Sequence, residues 1–187
     1  GGCQWCCHKN QCDLCIKFID CTSTNTSVCQ TISEMDWERG LWYAAFNDDR
    51  ERVQTLIDKS KNASVAVNAP DNAGYTPLHY AARKGLVQIC KMLLQYGADI
   101  NAQTKSGKAT PLHKAAAAGN IDAVLFLIKS GATIDIQDVD GQSALHKAIQ
   151  NKHYELTNIL VEACPHITSL KDSKNLLATD YMPRTNN

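Results

Sequence analysis

The feature that most constrains the fold is a phrase that returns. Thr76-Pro77-Leu78-His79-Tyr80-Ala81-Ala82-Arg83-Lys84-Gly85 is followed 34 residues on by Thr110-Pro111-Leu112-His113-Lys114-Ala115-Ala116. After a further 33 residues comes Ser143-Ala144-Leu145-His146-Lys147-Ala148. A fixed period of this length predicts a row of equivalent supersecondary units, each packed on its neighbours, in place of a single closed core.

Each copy carries its own local instructions. Thr76, Thr110 and Ser143 suit a helix N-cap, where a hydroxyl accepts from first-turn N–H groups. Pro77 and Pro111 then fall at the first helical position, where a missing N–H costs nothing. Leu78, Ala81 and Ala82 form an apolar stripe at helical spacing, and the paired alanines let helices approach closely. Gly85 and Gly119 end this first helix. A second stripe follows, Val87, Cys90, Leu93 and Leu94 in one copy, Ile121, Val124, Leu127 and Ile128 in the next. Gly97-Ala98 and Gly131-Ala132 stop it, and turns lead to Gly74, Gly107 or Gly141. The unit is helix, turn, helix, hairpin-like loop. One unit cannot bury its own apolar faces, and stacking neighbours buries them.

A unit of this period carrying T-P-L-H-x-A is similar to the ankyrin repeat. The resemblance implies an all-α ankyrin-repeat solenoid over residues 33–182, preceded by a short Cys-rich tail at 1–32. The expected divisions are a degenerate N-terminal cap repeat at 33–70, full repeats at 71–103, 104–137 and 138–168, a C-terminal half repeat at 169–182, and a frayed end at 183–187. In the cap repeat Leu41 takes the place of Leu78, Trp42 that of His79, and Ala44-Ala45 that of Ala81-Ala82, with Val53, Leu56 and Ile57 on the second helix. Terminal repeats are atypical because one face meets water. The segment from Ser60 to Pro70 reads as a long loop, and Leu176 to Tyr181 as a short helix. The third repeat departs from the pattern: Lys152 replaces the inter-helix glycine, and Cys164-Pro165 replaces Gly-Ala. A side chain in the left-handed conformation costs about 1 kcal/mol, so this end is expected to be less regular.

The tail is a separate problem. Seven of the nine cysteines lie in the first 29 residues. Cys3-x2-Cys6 and Cys12-x2-Cys15 form two C-x-x-C knuckles, each able to offer two thiolates to one tetrahedral zinc. Five residues separate the pairs, fewer than the usual zinc-ribbon loop. Three readings fit: a structural zinc on Cys3, Cys6, Cys12 and Cys15, extended to a second site by Cys7, His8, Cys21 and Cys29; a reduced tail without fixed ligands; or a disulfide framework. The first is the favoured expectation. Thr22 to Ser33 reads as a linker.

The 19 basic and 19 acidic residues cancel, which removes whole-molecule attraction to nucleic acid or an anionic membrane. The longest apolar run, Ala123 to Ile128, is far short of the roughly 18 residues a membrane span needs. No basic start followed by an apolar run marks a secretory signal, so an intracellular compartment is expected. No phosphate loop or nucleophile elbow is present, and the chain reads as a non-enzyme. The resemblance implies that His79, His113 and His146 are structural, bonding the motif threonine and neighbouring backbone. It also implies a concave face, where the residue after the motif histidine and the end of the first helix project. Candidate partner-binding residues there are Tyr43, Phe46, Tyr80, Arg83, Lys84, Lys114, Lys147 and Gln150, aromatic at one end and basic along the rest. Concave solenoid faces bind partners, and Tyr and Arg are favoured anchors. The expected function is a protein-interaction module or adaptor, acting as a monomer and binding an acidic or mixed acidic–apolar segment. The alternative is a zinc-binding protein whose tail contacts nucleic acid. Against it, Lys9 and Lys17 face Asp13, Asp20 and Glu34, a net charge of −1 over residues 1–35, where a nucleic-acid reader would be basic.

Overall fold

A computed structural model describes residues 40–183. Four helix pairs succeed one another: α1 (Leu41–Phe46) with α2 (Arg50–Lys59), α4 (Pro77–Lys84) with α5 (Val87–Gln95), α6 (Pro111–Ala118) with α7 (Ile121–Lys129), and α8 (Ala144–Gln150) with α9 (Glu155–Ala163). Between the first two pairs lies a further helix, α3 (Ala63–Asn68). Two 3-10 turns, Pro165–Ser169 and Ala178–Tyr181, close the array. Among the described residues there is no strand, only an isolated antiparallel bridge between Lys171 and Leu177. The chain is the all-α repeat array that the period implied.

The first helices α1, α4, α6 and α8 are successive neighbours. Ala44, Ala45, Ala81, Ala82, Ala115, Ala116 and Ala148 are buried between them with Leu78, Leu112 and Leu145. Small side chains permit the close approach and the leucines fill the gaps, so the two halves of the motif do different work. The second helices bury Val53 and Ile57, then Ile89, Cys90 and Leu93, then Ala123, Val124 and Leu127, then Leu156 and Leu160. Ile89 and Ala123 are fully buried, while Val87, Leu94, Ile121 and Ile128 are only half so. A second helix packs on its own partner and on the next repeat, which widens its apolar arc beyond one stripe.

Two local expectations needed correction. The loop assigned to Ser60–Pro70 contains α3, started by the Asn62 side chain accepting from Val65 N–H at 3.3 Å. Val67 anchors it in the core. The helix expected from Leu176 shrinks to the single turn at Ala178–Tyr181, with Leu176 and Leu177 spent on the preceding hairpin. Lys152 takes the left-handed conformation of the glycine it replaces, with φ 64° against 77° and 78° at Gly85 and Gly119, whereas Cys164, at the other replaced glycine, has φ −148°. Asp48 fills the position equivalent to Lys152 in the cap repeat with φ 57°. Beside these turns the next repeat packs tightly. A Cβ on Gly119 would meet the His153 ring at 2.5 Å. In the second repeat the hairpin is one residue longer, and the left-handed position falls on Lys108 (φ 48°) in place of Gly107.

The motif histidines are the cross-braces. Nδ1 of His79 accepts the Thr76 N–H at 3.1 Å, so the proton sits on Nε2, which donates to the Ala109 carbonyl of the next repeat at 2.9 Å. His113 does the same between Thr110 and Gln142 (3.2 and 2.9 Å). His146 does so between Ser143 and Leu176 (3.2 and 3.4 Å). The N-cap is thus closed by histidine as much as by the threonine hydroxyl. Burial lowers the His79 pKa to about 4, and burial lowers that of His113. All three rings bond the motif residue and the neighbouring backbone, as the resemblance implied, and burial favours the neutral form of His79 and His113.

Candidate functional site

A hairpin precedes each of α4, α6 and α8, and in the first and third of these the residue after the motif histidine bonds to it. Asp71 shows the construction. Its Oδ1 accepts from the N–H groups of Ala73 and Tyr75 at 2.9 and 2.8 Å, which forms the turn. Its Oδ2 accepts the Tyr80 hydroxyl at 2.5 Å. Burial and the Asp71 carboxylate raise the Tyr80 pKa, which keeps the phenol a donor. Asp138 repeats the arrangement: Oδ1 takes Asp140 and Gln142 N–H, and Oδ2 pairs with Lys147 Nζ at 2.7 Å. Asp172 repeats it a third time, with Lys174 and Leu176 N–H on one oxygen and the Tyr181 hydroxyl on the other. The Tyr181 hydrogen bond, with the backbone donors, lowers the Asp172 pKa to about 2. In the second repeat the same backbone position is Thr104, whose single oxygen accepts Ala109 N–H at 3.1 Å.

The structure therefore separates residues that looked alike in the sequence. Tyr80, Lys114 and Lys147 occupy one position in three repeats and are all half-buried. Lys147 is not a free groove cation: it is held by Asp138 and donates to Gln142 Oε1 at 2.6 Å. Asp138 is buried beneath Lys147, so reversing the charge of Lys147 would leave that carboxylate without its counter-ion. Lys114 reaches back to the preceding repeat, donating to the Tyr75 hydroxyl at 2.9 Å with its ammonium 4.7 Å from the Tyr75 ring centre. Arg83, Lys84 and Gln150 are exposed.

The aromatic end is drawn together. Phe46 meets Tyr80 edge-on at 6.3 Å, and Tyr75 meets Tyr80 at 5.5 Å. Lys84 covers Phe46 at 4.1 Å, and Arg52 covers Tyr43 at 5.8 Å. Tyr75 belongs to this surface although the sequence reading passed over it. It stands one residue before the motif, and only its place in the hairpin shows that it faces Lys114.

Burial pushes the Cys90 thiol up to about 12, which leaves it inert. Cys164 Sγ lies 3.4 Å from His166 Nδ1, and His166 Nε2 lies 2.9 Å from Asp135 Oδ2. Burial raises the Cys164 pKa as well. Asp135 also stands one period after Asn101, which accepts Thr133 N–H at 2.9 Å, and two after Asn68, which accepts Asp99 N–H at 2.7 Å. The contact is the last of a series of stitches between repeats. Among the described residues no group of His, Cys, Asp or Glu could hold a metal, and no helix is long and apolar enough to cross a membrane. The zinc candidates Cys3, Cys6, Cys12 and Cys15 lie outside the described residues.

The family model described as ankyrin repeats (3 copies) matches residues 4–104 and 101–171. Ankyrin repeat domain-containing protein 39 of Homo sapiens is 52% identical over 75 residues, 40% of this chain and 39% of that protein. Its counterpart in Bos taurus is 52% identical over 63 residues, 34% and 32% of the two chains. A palmitoyltransferase, akr1, of Schizosaccharomyces pombe is 44% identical over 62 residues, 33% of this chain and 9% of that protein. The matched stretch thus spans well under half of each relative.

Proposed function

The chain belongs to the ankyrin-repeat family, a family of protein-interaction modules, and on that premise we propose that it holds a partner protein on the face built by α1, α4, α6 and their hairpins. The observation that carries this reading is the row of Phe46, Tyr80 and Tyr75, with Lys84 and Lys114 over the outer rings. Aromatic side chains supply contact area at low conformational cost, and placing them half-exposed on a surface is otherwise a liability for solubility. The position of Lys147 limits the site: the third repeat has satisfied its own charge, so the face is concentrated on the cap repeat and the first two full repeats. An adaptor role follows, with recognition and no chemical step.

The test is selection of binders from a random-peptide display library on the full 187-residue chain, followed by affinity measurement on variants. Phe46→Ala and Arg83→Glu are expected to weaken the selected peptides about tenfold or more, because central aromatic and arginine anchors carry such energies. Selected peptides that bind both variants with unchanged affinity refute the proposed face.

A further inference from the structure

The hairpins differ in one respect that points to what the face receives. Three of the four described hairpins begin with an aspartate that divides its oxygens: one builds the turn, the other satisfies the side chain after the motif histidine or its equivalent. The pairs are Asp71–Tyr80, Asp138–Lys147 and Asp172–Tyr181. The hairpin of the second repeat begins with Thr104, which has one oxygen and spends it on Ala109 N–H. Lys114 stands where Tyr80 and Lys147 stand in their repeats, and its own repeat offers no carboxylate to it. Among the described residues its recorded partner is a neutral phenol, Tyr75, from the repeat before.

We propose that Lys114 and Tyr75 form a carboxylate-binding site, and that the partner supplies an aspartate or glutamate side chain in place of the one missing at Thr104. The inference rests on the reading of the first-helix face as the partner site and names the chemistry it selects. Among the described residues the Lys114 ammonium has a phenol and a ring beside it and no salt bridge, and covering it with a partner would favour an opposite charge in place of the water lost. The Tyr75 hydroxyl accepts from Lys114 and keeps its own proton for donation. An arriving carboxylate can take one bond from Nζ and one from the Tyr75 hydroxyl, which are 2.9 Å apart. The second hairpin is the most basic of the four described. The second hairpin carries exposed Lys105 and Lys108 and no acid, whereas the third carries Asp138 and Asp140. One ammonium and one phenol proton, side by side, match the two oxygens of a carboxylate.

The test uses the full chain and a defined probe, the blocked peptide acetyl-Glu-Leu-Glu-Leu-Glu-amide, followed by NMR so that weak binding is seen. Saturable shifts at the Lys114 side chain and the Tyr75 ring are expected. The glutamine counterpart of the probe is expected to bind at least about tenfold more weakly, the scale of one charge-assisted contact. Lys114→Gln keeps a donor toward Tyr75 and is expected to abolish the preference for glutamate. Thr104→Asp restores the carboxylate of the other repeats and is expected to weaken the probe about tenfold by occupying Lys114 from within. Lys91→Gln, on the second-helix side, is the control and is expected to change nothing. No shift at Lys114 and Tyr75, equal binding of the glutamine probe, or indifference to Thr104→Asp overturns the proposal. Tighter binding of a phosphoserine counterpart that loses to glutamate in no variant also overturns it. Display-selected peptides that need Phe46 but ignore Lys114 would overturn this inference while leaving the proposed face intact.

Discussion

Mild acid should loosen this array before its carboxylates begin to titrate. The cause is the burial of His79 and His113 in their neutral form. Nδ1 of His79 faces the Thr76 N–H at 3.1 Å, and the ring is fully buried. Protonation would place a second N–H donor against the first and would charge a group removed from water. The folded pKa is accordingly lowered from 6.5 to about 4. In the unfolded chain the ring titrates near its ordinary value, so the unfolded state binds the extra proton first. The stability due to a neutral His79 is complete above about pH 6.5 and is lost as pH falls toward about 4. Linkage between these two values puts the loss from His79 alone at about 2 kcal/mol by about pH 5. His113 is shifted in the same direction by the same cause and adds to it. The assay is urea unfolding followed by far-UV circular dichroism, with the midpoint measured at intervals from about pH 7.5 down to about pH 5. Asp172 lies outside this window: its lowered pKa contributes stability that is present above the ordinary carboxylate value and is lost only below it. The double variant His79→Gln with His113→Gln can keep an acceptor for the threonine N–H but cannot titrate. It should start less stable and show a much flatter pH dependence. A wild-type midpoint that stays constant down to about pH 5, or a double variant that keeps the full slope, refutes the reasoning.

Three further outcomes are expected. Lys152→Gly relieves a left-handed side chain (φ 64°) in an exposed turn and should stabilise the chain by about 0.5–1 kcal/mol, read as a raised melting temperature. Lys147→Glu removes the partner of buried Asp138 and sets a like charge beside it, so it should cost about 2–4 kcal/mol in a denaturant titration; an unchanged midpoint would mean that the pair does not form in solution. Elemental analysis of the reduced, purified chain should find bound zinc held by Cys3, Cys6, Cys12 and Cys15, and a chelator should remove it without loss of helical signal, since no described residue of the repeats contributes a metal cluster.

Much of the architecture was legible because the repeat writes the same local chemistry several times. In α4 and α6 proline at the first helical position, paired alanines and a terminal glycine fix where the helix begins, packs and stops, and these signals depend on near neighbours in the chain. The helix α3 escaped notice because its sequence, Ala-Ser-Val-Ala-Val-Asn, has no strong period. What holds it is burial of Val67 and the hold of the Asn68 side chain on Gly97 and Asp99 of the next repeat. The candidate surface was legible by position but not by charge. Lys114 and Lys147 share a motif position, and the sequence reading gave them one role. Their difference lies at Thr104 and Asp138, several residues earlier, and becomes visible only when the hairpins are folded against the helices they precede. Tyr75 was missed for a similar reason, since its partner Lys114 is 39 residues away.

The histidine braces run in one direction. Each imidazole donates forward, to a carbonyl of the following hairpin, and receives nothing in return from it. The two ends of the row are therefore chemically unlike. Cutting the chain before a repeat leaves that repeat's hairpin carbonyl facing water, which tolerates it. Cutting after a repeat takes away the acceptor of its imidazole N–H and uncovers the apolar face that the following repeat had buried. The half repeat around Leu176 works as a stopper for His146, and the longer contact there, 3.4 Å, makes it the loosest closure in the series. Lengthening the protein is then a matter of inserting whole units between existing ones, where every new donor finds a carbonyl. Shortening it from the C-terminal side requires carrying the stopper inward to the new end.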